Sequence, residues 1–237
     1  MLFFYVRHGD PIYNPDSLTP LGHEQARALA KRFTAHGLDR IYASSSNRAQ
    51  LTARPTCDLL KKQPEILDWA NEGLVWQEFT VTLENGQRTW GFYDPKMLEL
   101  FRSKEMRALG DRWYTHPAIP QSFGEGMARV DREVDAFFLS LGYKHDRENA
   151  RYEPVAPTNE RVALFAHQGF SMAFFSSMLD IPYPIFSTHF DITVTGMSVI
   201  QFEQRGDYVY PQVLQHSNDA HLYREGLLNG YHNRIKF

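Results

Sequence analysis

The sequence predicts a three-layer α/β/α domain around a largely parallel central sheet. Short apolar runs of strand length alternate along the chain with longer stretches in which apolar residues recur at helical spacing. The runs at 2–6 and 162–166 are apolar throughout, which is typical of strands buried on both faces of a sheet. Strands that alternate with helices imply a parallel sheet that helices cover on both sides.

Local signals in the first half of the chain place two helices and a second strand. Thr19 is a good helix N-cap, and Pro20 suits the first helical position, where its missing N–H costs nothing. Gly37 stands where a glycine commonly ends a helix. A short strand is predicted next at 41–43, and a second helix at 48–62.

The second half continues the alternation. The predicted elements are a strand at 74–79, helices at 94–115 and 126–142, the strand at 162–166 with a helix at 170–179, and a late hairpin of strands at 195–202 and 208–214. The stretch 143–160 is charged and contains two prolines, so it is predicted to be an exposed loop.

Residues 68–123 are predicted to form an insertion or cap over the functional site. The segment holds all four tryptophans of the chain, Trp69, Trp76, Trp90 and Trp113. These rings could form a wall that recognises the organic part of a ligand. They could equally form the core of a small subdomain, which is favoured because aromatic side chains dominate core burial.

Composition indicates one globular domain, 1–237, without a nucleic-acid or membrane function. The 25 basic and 28 acidic residues give a formal charge of −3, which argues against a nucleic-acid surface. Cys57 is the only cysteine, so an intrachain disulfide is impossible. The apolar start is too short for a signal peptide or a membrane span. These features predict a cytoplasmic protein.

Two predicted strands end in histidine. Arg7 and His8 follow the strand at 2–6, and His167 follows the strand at 162–166. In open α/β sheets, ligands bind beyond the carboxyl ends of the strands. If the two strands are parallel neighbours, about 4.8 Å apart, His8 and His167 could contact one phosphoryl group.

Five segments match a family pattern in their order and spacing. They are Arg7-His8-Gly9-Asp10 with Asn14 shortly after it, 18–26, 44–53 with Arg48, His167-Gln168-Gly169, and 218–222. Together they resemble the histidine phosphatase superfamily, the phosphoglycerate mutase-like proteins. The sequence departs from the common family pattern at Asp10, Gln168 and Gly126, and none of these changes removes a side chain that the chemistry requires.

The resemblance implies a metal-independent phosphatase that hydrolyses a small phosphorylated metabolite through a phosphohistidine on His8. No metal or other cofactor is expected, and the oligomeric state stays open, with a homodimer as one option. The implied phosphate-binding groups are Arg7, Asn14, Arg48, His167 and Gln168. Arginine suits this role because it presents a planar, permanently charged fork of donors.

An alkoxide is a poor leaving group, so a general acid is required. The resemblance favours Glu78, which lies after the Arg48 segment and follows an apolar stretch. Asp10, Glu84 and Glu125 are the competing candidates.

Three alternatives to the phosphatase interpretation remain at this stage. A phosphoglycerate mutase would use the same histidine, but the mutases of the family carry a longer segment between the positions of Asn14 and Thr19. A metal-binding protein could use His167, Asp219 and His221, although the sequence contains neither His-Glu-x-x-His nor Cys-x-x-Cys. A noncatalytic phosphate-binding module would share the same residues.

Overall fold

The computed structural model describes residues 1–227 together with Asn229 and Tyr231. The predicted domain, 1–237, therefore ends in residues that lie outside this described part. The strands are β1 (Leu2–Arg7), β2 (Pro11–Tyr13), β3 (Asp16–Leu18), β4 (Arg40–Ser44), β5 (Glu65–Leu67), β6 (Thr80–Thr82), β7 (Arg88–Trp90), β8 (Tyr143–Asp146), β9 (Arg151–Pro154), β10 (Arg161–Ala166), β11 (Met197–Arg205) and β12 (Tyr208–Asn218). The α-helices are α1 (Pro20–Thr34), α2 (Asn47–Leu60), α3 (Glu72–Glu78), α4 (Pro95–Phe101), α5 (Lys104–Leu109), α6 (Gln121–Ser140), α7 (Gln168–Leu179), α8 (Tyr183–His189) and α9 (Ala220–Arg224).

The central sheet is mixed and has the strand order β5-β4-β10-β1-β11-β12-β9-β8. Its first four strands are parallel to one another, and β11, β12, β9 and β8 continue it with antiparallel pairing. The predicted adjacency of the two histidine-bearing strands is confirmed, because β1 and β10 are parallel neighbours with Arg7 opposite Ala166. The predicted late hairpin is also present, as β11 and β12.

Helices cover both faces of the sheet, as predicted. Alternate residues of β1 enter two separate apolar clusters, with Phe3 and Tyr5 on one face and Val6 on the other. The first face packs against residues of α6 and α7, and the second against residues of α1 and α2. The parallel strands are therefore buried on both sides, which explains their continuous apolar sequences.

The start of α1 packs tightly against the loop that follows β1. The side chain of Thr19 accepts a hydrogen bond from the Gly22 backbone N–H at 3.0 Å, which confirms the predicted N-cap. A Cβ atom at Gly9 would lie 2.7 Å from the Gly22 carbonyl oxygen, and one at Gly22 would collide with the Asp10 backbone. Both positions require glycine because the two backbones touch.

Two expectations for individual segments are wrong, and the helical expectation for 94–115 is refined. The predicted strand at 74–79 is instead the end of helix α3 and its C-cap Phe79, and Asn71 caps the start of this helix by accepting a hydrogen bond from the Gly73 N–H at 2.9 Å. The stretch 94–115 is divided between α4, α5 and a 3₁₀ helix, with Ser103 capping α5.

The second wrong expectation is the loop at 143–160, which contains the hairpin β8–β9 at the sheet edge. Several of its charged groups are paired with other groups of the protein. Both ring nitrogens of His145 lie 2.9 Å from carboxylate oxygens, of Asp135 on α6 and of Asp180 after α7. Arg147 also binds Asp135. The charge density of this segment therefore reflects internal ion pairs.

The tryptophans of residues 68–123 occupy two environments, the core and the lining of a cavity. Trp113 is buried in the core, and the Trp69 ring packs against Phe137 and Phe170. Trp76 and Trp90 instead line a cavity beside His8. Within the described residues, no helix is both long and apolar enough to cross a membrane.

Candidate active site

The candidate site lies at the carboxyl ends of three neighbouring parallel strands. β1 delivers Arg7 and His8, β10 delivers His167, and β4 leads to Ser44, Ser46 and, on the first turn of α2, Arg48. The structure brings the two histidine rings together, with centroids 5.2 Å apart. A cavity of about 390 Å³ opens beside them.

The hydrogen bond that His8 makes through Nδ1 leaves the lone pair on its other ring nitrogen, Nε2. Its Nδ1 lies 2.7 Å from the Gly9 carbonyl oxygen. Because a carbonyl only accepts hydrogen bonds, Nδ1 carries the proton and Nε2 keeps its lone pair. Burial lowers the pKa of His8 well below its ordinary value, and the nearby His167 and Arg7 act in the same direction. His8 is therefore a neutral imidazole, the form that a nucleophile requires.

His167 is completely buried and is held by two serine hydroxyls. Its Nε2 lies 2.8 Å from Ser44 Oγ and 3.1 Å from Ser46 Oγ. Its Nδ1 is 3.6 Å from a carboxylate oxygen of Glu72 and has no closer hydrogen-bond partner among the described residues. Burial lowers the pKa of His167 well below its ordinary value, assisted by the positive charges of Arg48 and Arg7.

Two guanidinium groups border the cavity. Arg7 donates from Nη1 to the Ile192 carbonyl oxygen at 2.6 Å. Arg48 donates to Asp16 at 2.9 Å and to Glu72 at 2.8 Å. The Nε atoms of both arginines are buried and lack a hydrogen-bond partner in the described part of the chain. Guanidinium groups in the lining of a cavity are the type of group that an anion would bind.

The Thr52 hydroxyl links the loop that follows β1 to helix α2, which carries Arg48. Thr52 Oγ1 accepts a hydrogen bond from the Gly9 backbone N–H at 2.9 Å and donates to the Arg48 carbonyl oxygen at 2.8 Å. The backbone beside His8 and the backbone of Arg48 are therefore fixed relative to each other.

Glu72 is the carboxylate that sequence reasoning missed. It lines the cavity at the start of α3, accepts from Arg48, and accepts from the Gly169 backbone N–H at 2.9 Å. Ligand atoms of His8, Glu72 and His167 all lie within 4.8 Å of one another. The signal that could have located it was Asn71, because this N-cap residue places Glu72 in the first turn of a helix.

The structure does not place Glu78 in the cavity. Its carboxylate is bound by Arg129 of α6, with distances of 2.5 and 2.7 Å. A Cβ atom at Gly126 would lie 2.6 Å from the Glu78 Cβ, so the glycine at this position allows Glu78 to lie against α6. The expectation that Glu78 is the general acid is corrected for this reason.

The competing carboxylates also lie outside the cavity lining. Asp10 accepts a hydrogen bond from the Thr19 hydroxyl at the start of α1. Glu84 binds Lys96 on the surface, and Glu125 accepts from Gln121.

Of two further residues predicted to bind phosphate, Asn14 and Gln168, the lining of the cavity includes Gln168. Asn14 is exposed at the turn between β2 and β3, whereas its neighbour Tyr13 lines the cavity. Gln168 lines the cavity as the first residue of α7, and its amide nitrogen donates to Asp191 at 3.0 Å and to Tyr93 at 3.2 Å.

The metal-binding alternative is not supported by the placement of its ligands. In the described residues, the cluster with metal-ligand spacing contains His167 but neither Asp219 nor His221. His221 Nε2 instead lies 3.0 Å from Thr195 Oγ1, and burial together with the charge of Arg32 lowers its pKa to about 4. The Thr195 backbone N–H in turn donates to the His8 carbonyl oxygen at 3.1 Å. Through Thr195, His221 thus supports the backbone of the loop that follows β1 and carries His8.

A mixed sheet of this order, with two histidines and two arginines beyond its parallel strands, defines the phosphoglycerate mutase-like class of α/β proteins. The model of the histidine phosphatase superfamily (branch 1) matches residues 3–213. The chain therefore belongs to the histidine phosphatase superfamily, and the relatives compared with it are phosphatases that act on phosphomonoesters.

Individual relatives agree with this assignment. A putative phosphoserine phosphatase 2 from Hydrogenobacter thermophilus is 28% identical over 152 residues, which are 60% of this chain and 67% of that protein. The fold resembles that of a phosphoserine phosphatase from Entamoeba histolytica, with a TM-score of 0.58, 16% identity, and 93% and 98% of the two chains covered. An α-ribazole phosphatase from Shigella flexneri gives a TM-score of 0.57 at 19% identity, covering 92% and 97% of the chains.

Proposed function

We propose that this protein hydrolyses phosphomonoesters through a phosphohistidine on His8, with Glu72 as the general acid. The observation that carries the proposal is the orientation of His8, whose Nδ1 is bound to the Gly9 carbonyl and whose Nε2 keeps its lone pair beside two arginines. The family match and the phosphatase names of the relatives support the same chemistry.

The phosphate group would bind first. The guanidinium groups of Arg7 and Arg48, which line the cavity, offer donors to its oxygens. The N-terminus of α7, which begins at Gln168, adds the positive end of a helix dipole. Phosphoryl transfer depends mainly on positioning and on neutralising the charge of the equatorial oxygens, and these groups supply both.

His8 Nε2 would then attack phosphorus while the bond from phosphorus to the ester oxygen breaks. Glu72 donates a proton to the departing oxygen, which leaves as an alcohol. In the second step the Glu72 carboxylate accepts a proton from water, the water oxygen attacks phosphorus, and the bond to His8 breaks. Inorganic phosphate is released, and both side chains regain their starting protonation.

The neighbouring groups assist these steps. The Nδ1–H of His8 stays bound to the Gly9 carbonyl, which stabilises the positive charge that the ring gains on phosphorylation. If a serine hydroxyl donates to His167 Nε2, the Nδ1–H of His167 is available to a phosphoryl oxygen or to Glu72.

The substrate is proposed to be a small phosphorylated metabolite, since the relatives are named for such substrates. The cytoplasmic location, the independence from nucleic acid and from metal, and a homodimer remain predictions from the sequence.

Replacement of the nucleophile tests the proposal. We expect His8→Ala to abolish release of inorganic phosphate from all phosphomonoesters, while His36→Ala, which changes an exposed histidine at the end of α1, leaves it unchanged. Wild-type enzyme that is denatured during turnover, without acid, should carry phosphate on His8. Addition of EDTA should not reduce turnover. Near wild-type activity in His8→Ala, or loss of activity in EDTA that added metal restores, would show that the phosphohistidine mechanism is wrong.

A further inference from the structure

The cavity beside His8 has an aromatic side that the phosphoryl chemistry does not use. Its lining contains three aromatic residues, Tyr13 from the β2–β3 hairpin, Trp76 from α3 and Trp90 from β7. Tyr13 is 67% exposed, so its ring is available to a ligand.

Helix geometry places this aromatic side in the path of the leaving group. Glu72 and Trp76 are four residues apart on α3, and side chains at this spacing lie next to each other on one helix face. If Glu72 protonates the departing oxygen, the organic group attached to that oxygen extends toward Trp76. Gly73 also lines the cavity, and it contributes no side chain that would fill this space.

The aromatic side is rigid. The rings of Trp76 and Trp90 meet edge to face with centroids 4.9 Å apart, and Trp90 stacks on buried Phe92 at 5.5 Å. A Cβ atom at Gly169 would collide with the Trp90 ring, so glycine at this position lets Trp90 pack on the start of α7. A ring bound here would meet a preformed surface and would not have to order it.

The charges around the cavity disfavour an acidic leaving group. The charged residues of its lining are Arg7, Arg48 and Glu72. Both arginines are proposed to bind the phosphate, and two Arg48 nitrogens already bind carboxylates. A carboxylate on the leaving group would therefore find no cation in the lining apart from the two that are proposed to hold the phosphate. Asp191, which accepts from Gln168 of the lining, would repel such a carboxylate.

We infer that the substrate is a phosphomonoester of an alcohol that carries a planar aromatic or heteroaromatic ring and no carboxylate. Tyr13, Trp76 and Trp90 bind that ring and determine the specificity. The cavity of about 390 Å³ is at the small end of the usual range for ligand sites, and thus suits one phosphate with a compact ring system. This inference rests on the proposed phosphatase function.

Matched primary esters test the inference without changing the reacting bond. Benzyl phosphate and cyclohexylmethyl phosphate differ in the planarity and π-electrons of the ring, and 4-carboxybenzyl phosphate adds only a carboxylate. We expect kcat/KM for benzyl phosphate to exceed that for cyclohexylmethyl phosphate by about tenfold, because aromatic pairs gain affinity beyond the apolar area that they bury. The carboxylate should lower kcat/KM by roughly tenfold or more.

Variants assign the preference to the named rings. Trp76→Leu and Tyr13→Leu should each reduce the ratio of benzyl to cyclohexylmethyl ester below about threefold. Leu74→Ala changes an exposed residue of the same helix outside the cavity lining and should preserve the ratio. Tyr13 lies on an exposed hairpin, so its variant remains informative if Trp76→Leu does not fold.

The two proposals fail differently. Release of phosphate from all three esters at equal kcat/KM would overturn the aromatic subsite and leave the phosphatase function standing. A higher kcat/KM for the carboxylate ester would also overturn it. No phosphate release from any ester, including ethyl phosphate, would refute the phosphatase function itself.

Discussion

Glu72→Gln separates the general acid from the other polar groups of the site. The substitution keeps the shape of the side chain, and the amide oxygen can still accept from the Gly169 N–H, which bonds Glu72 at 2.9 Å. It removes the proton donor, while the amide still offers an oxygen to either Gly169 or Arg48, which donates to Glu72 at 2.8 Å. Glu72 is the carboxylate in the lining of the described cavity, so no neighbouring acid replaces it there.

The expected loss depends on the leaving group. General acid catalysis contributes about 10²- to 10⁴-fold, so a loss of about 10³-fold in kcat/KM is expected for an alkyl phosphate. This loss corresponds to about 4 kcal/mol of transition-state stabilisation. 4-Nitrophenyl phosphate leaves as a stable anion and needs no proton, so its loss should stay within about tenfold.

Glu78→Gln is the matched control, because it makes the same change on the same helix outside the cavity lining. It breaks the ion pair with Arg129, so a decrease of about 1 kcal/mol in the free energy of unfolding is expected, measured by urea denaturation. The ratio of the two substrates should not change. Equal losses on both substrates in Glu72→Gln, or a selective loss on the alkyl ester in Glu78→Gln, would refute the assignment of the acid.

Two further predictions concern metal ions and pH. Zn²⁺ should inhibit competitively with respect to substrate, with recovery in EDTA, because neutral His8 and His167 lie with Glu72 at ligand spacing; noncompetitive inhibition would place the ion elsewhere. Burial lowers the pKa of His145, but its hydrogen bonds to Asp135 and Asp180 outweigh burial and raise it above the ordinary value. The stabilisation by protonated His145 is therefore complete below the unfolded pKa of about 6.5 and is lost as pH rises through the folded pKa. The free energy of unfolding measured in urea should therefore decrease as pH rises through this range, and this decrease should be absent in His145→Gln; identical pH profiles would contradict this role.

The parts of the site that follow strand ends could be predicted from sequence. The carboxyl ends of two buried parallel strands carry Arg7, His8 and His167. The edge of the sheet brings such positions together for any conformation of the loops. The position of Arg48 could also be predicted, because this residue lies in the first turn of a helix that follows a neighbouring strand.

The proposed general acid, Glu72, could not be located from strand ends, because its position depends on the local fold between strands. The apolar stretch before Glu78 is typical of a strand, yet it forms part of α3, in which Val75 is buried and which ends directly before the buried Phe79. A helix that begins at Glu72 directs that residue toward the histidines and leaves Glu78 beside Arg129.

The hairpin β8–β9 escaped prediction for a different reason. Its charged residues are typical of an exposed loop, but the His145 side chain is fully buried between Asp135 and Asp180, which are 10 and 35 residues away along the chain. Partners separated by this much sequence are invisible to local patterns.

The two carboxylates that bind Arg48 also bear on the last step of turnover. Asp16 and Glu72 occupy Nη1 and Nη2 of this guanidinium when no ligand is bound. Each of these nitrogens carries a second N–H that can bind phosphate, but the phosphate then shares the charge of Arg48 with two carboxylates, and this lowers its affinity. When phosphate departs, the full charge of Arg48 returns to Asp16 and Glu72. The protein thus contains its own competitors for any phosphate group that enters the cavity.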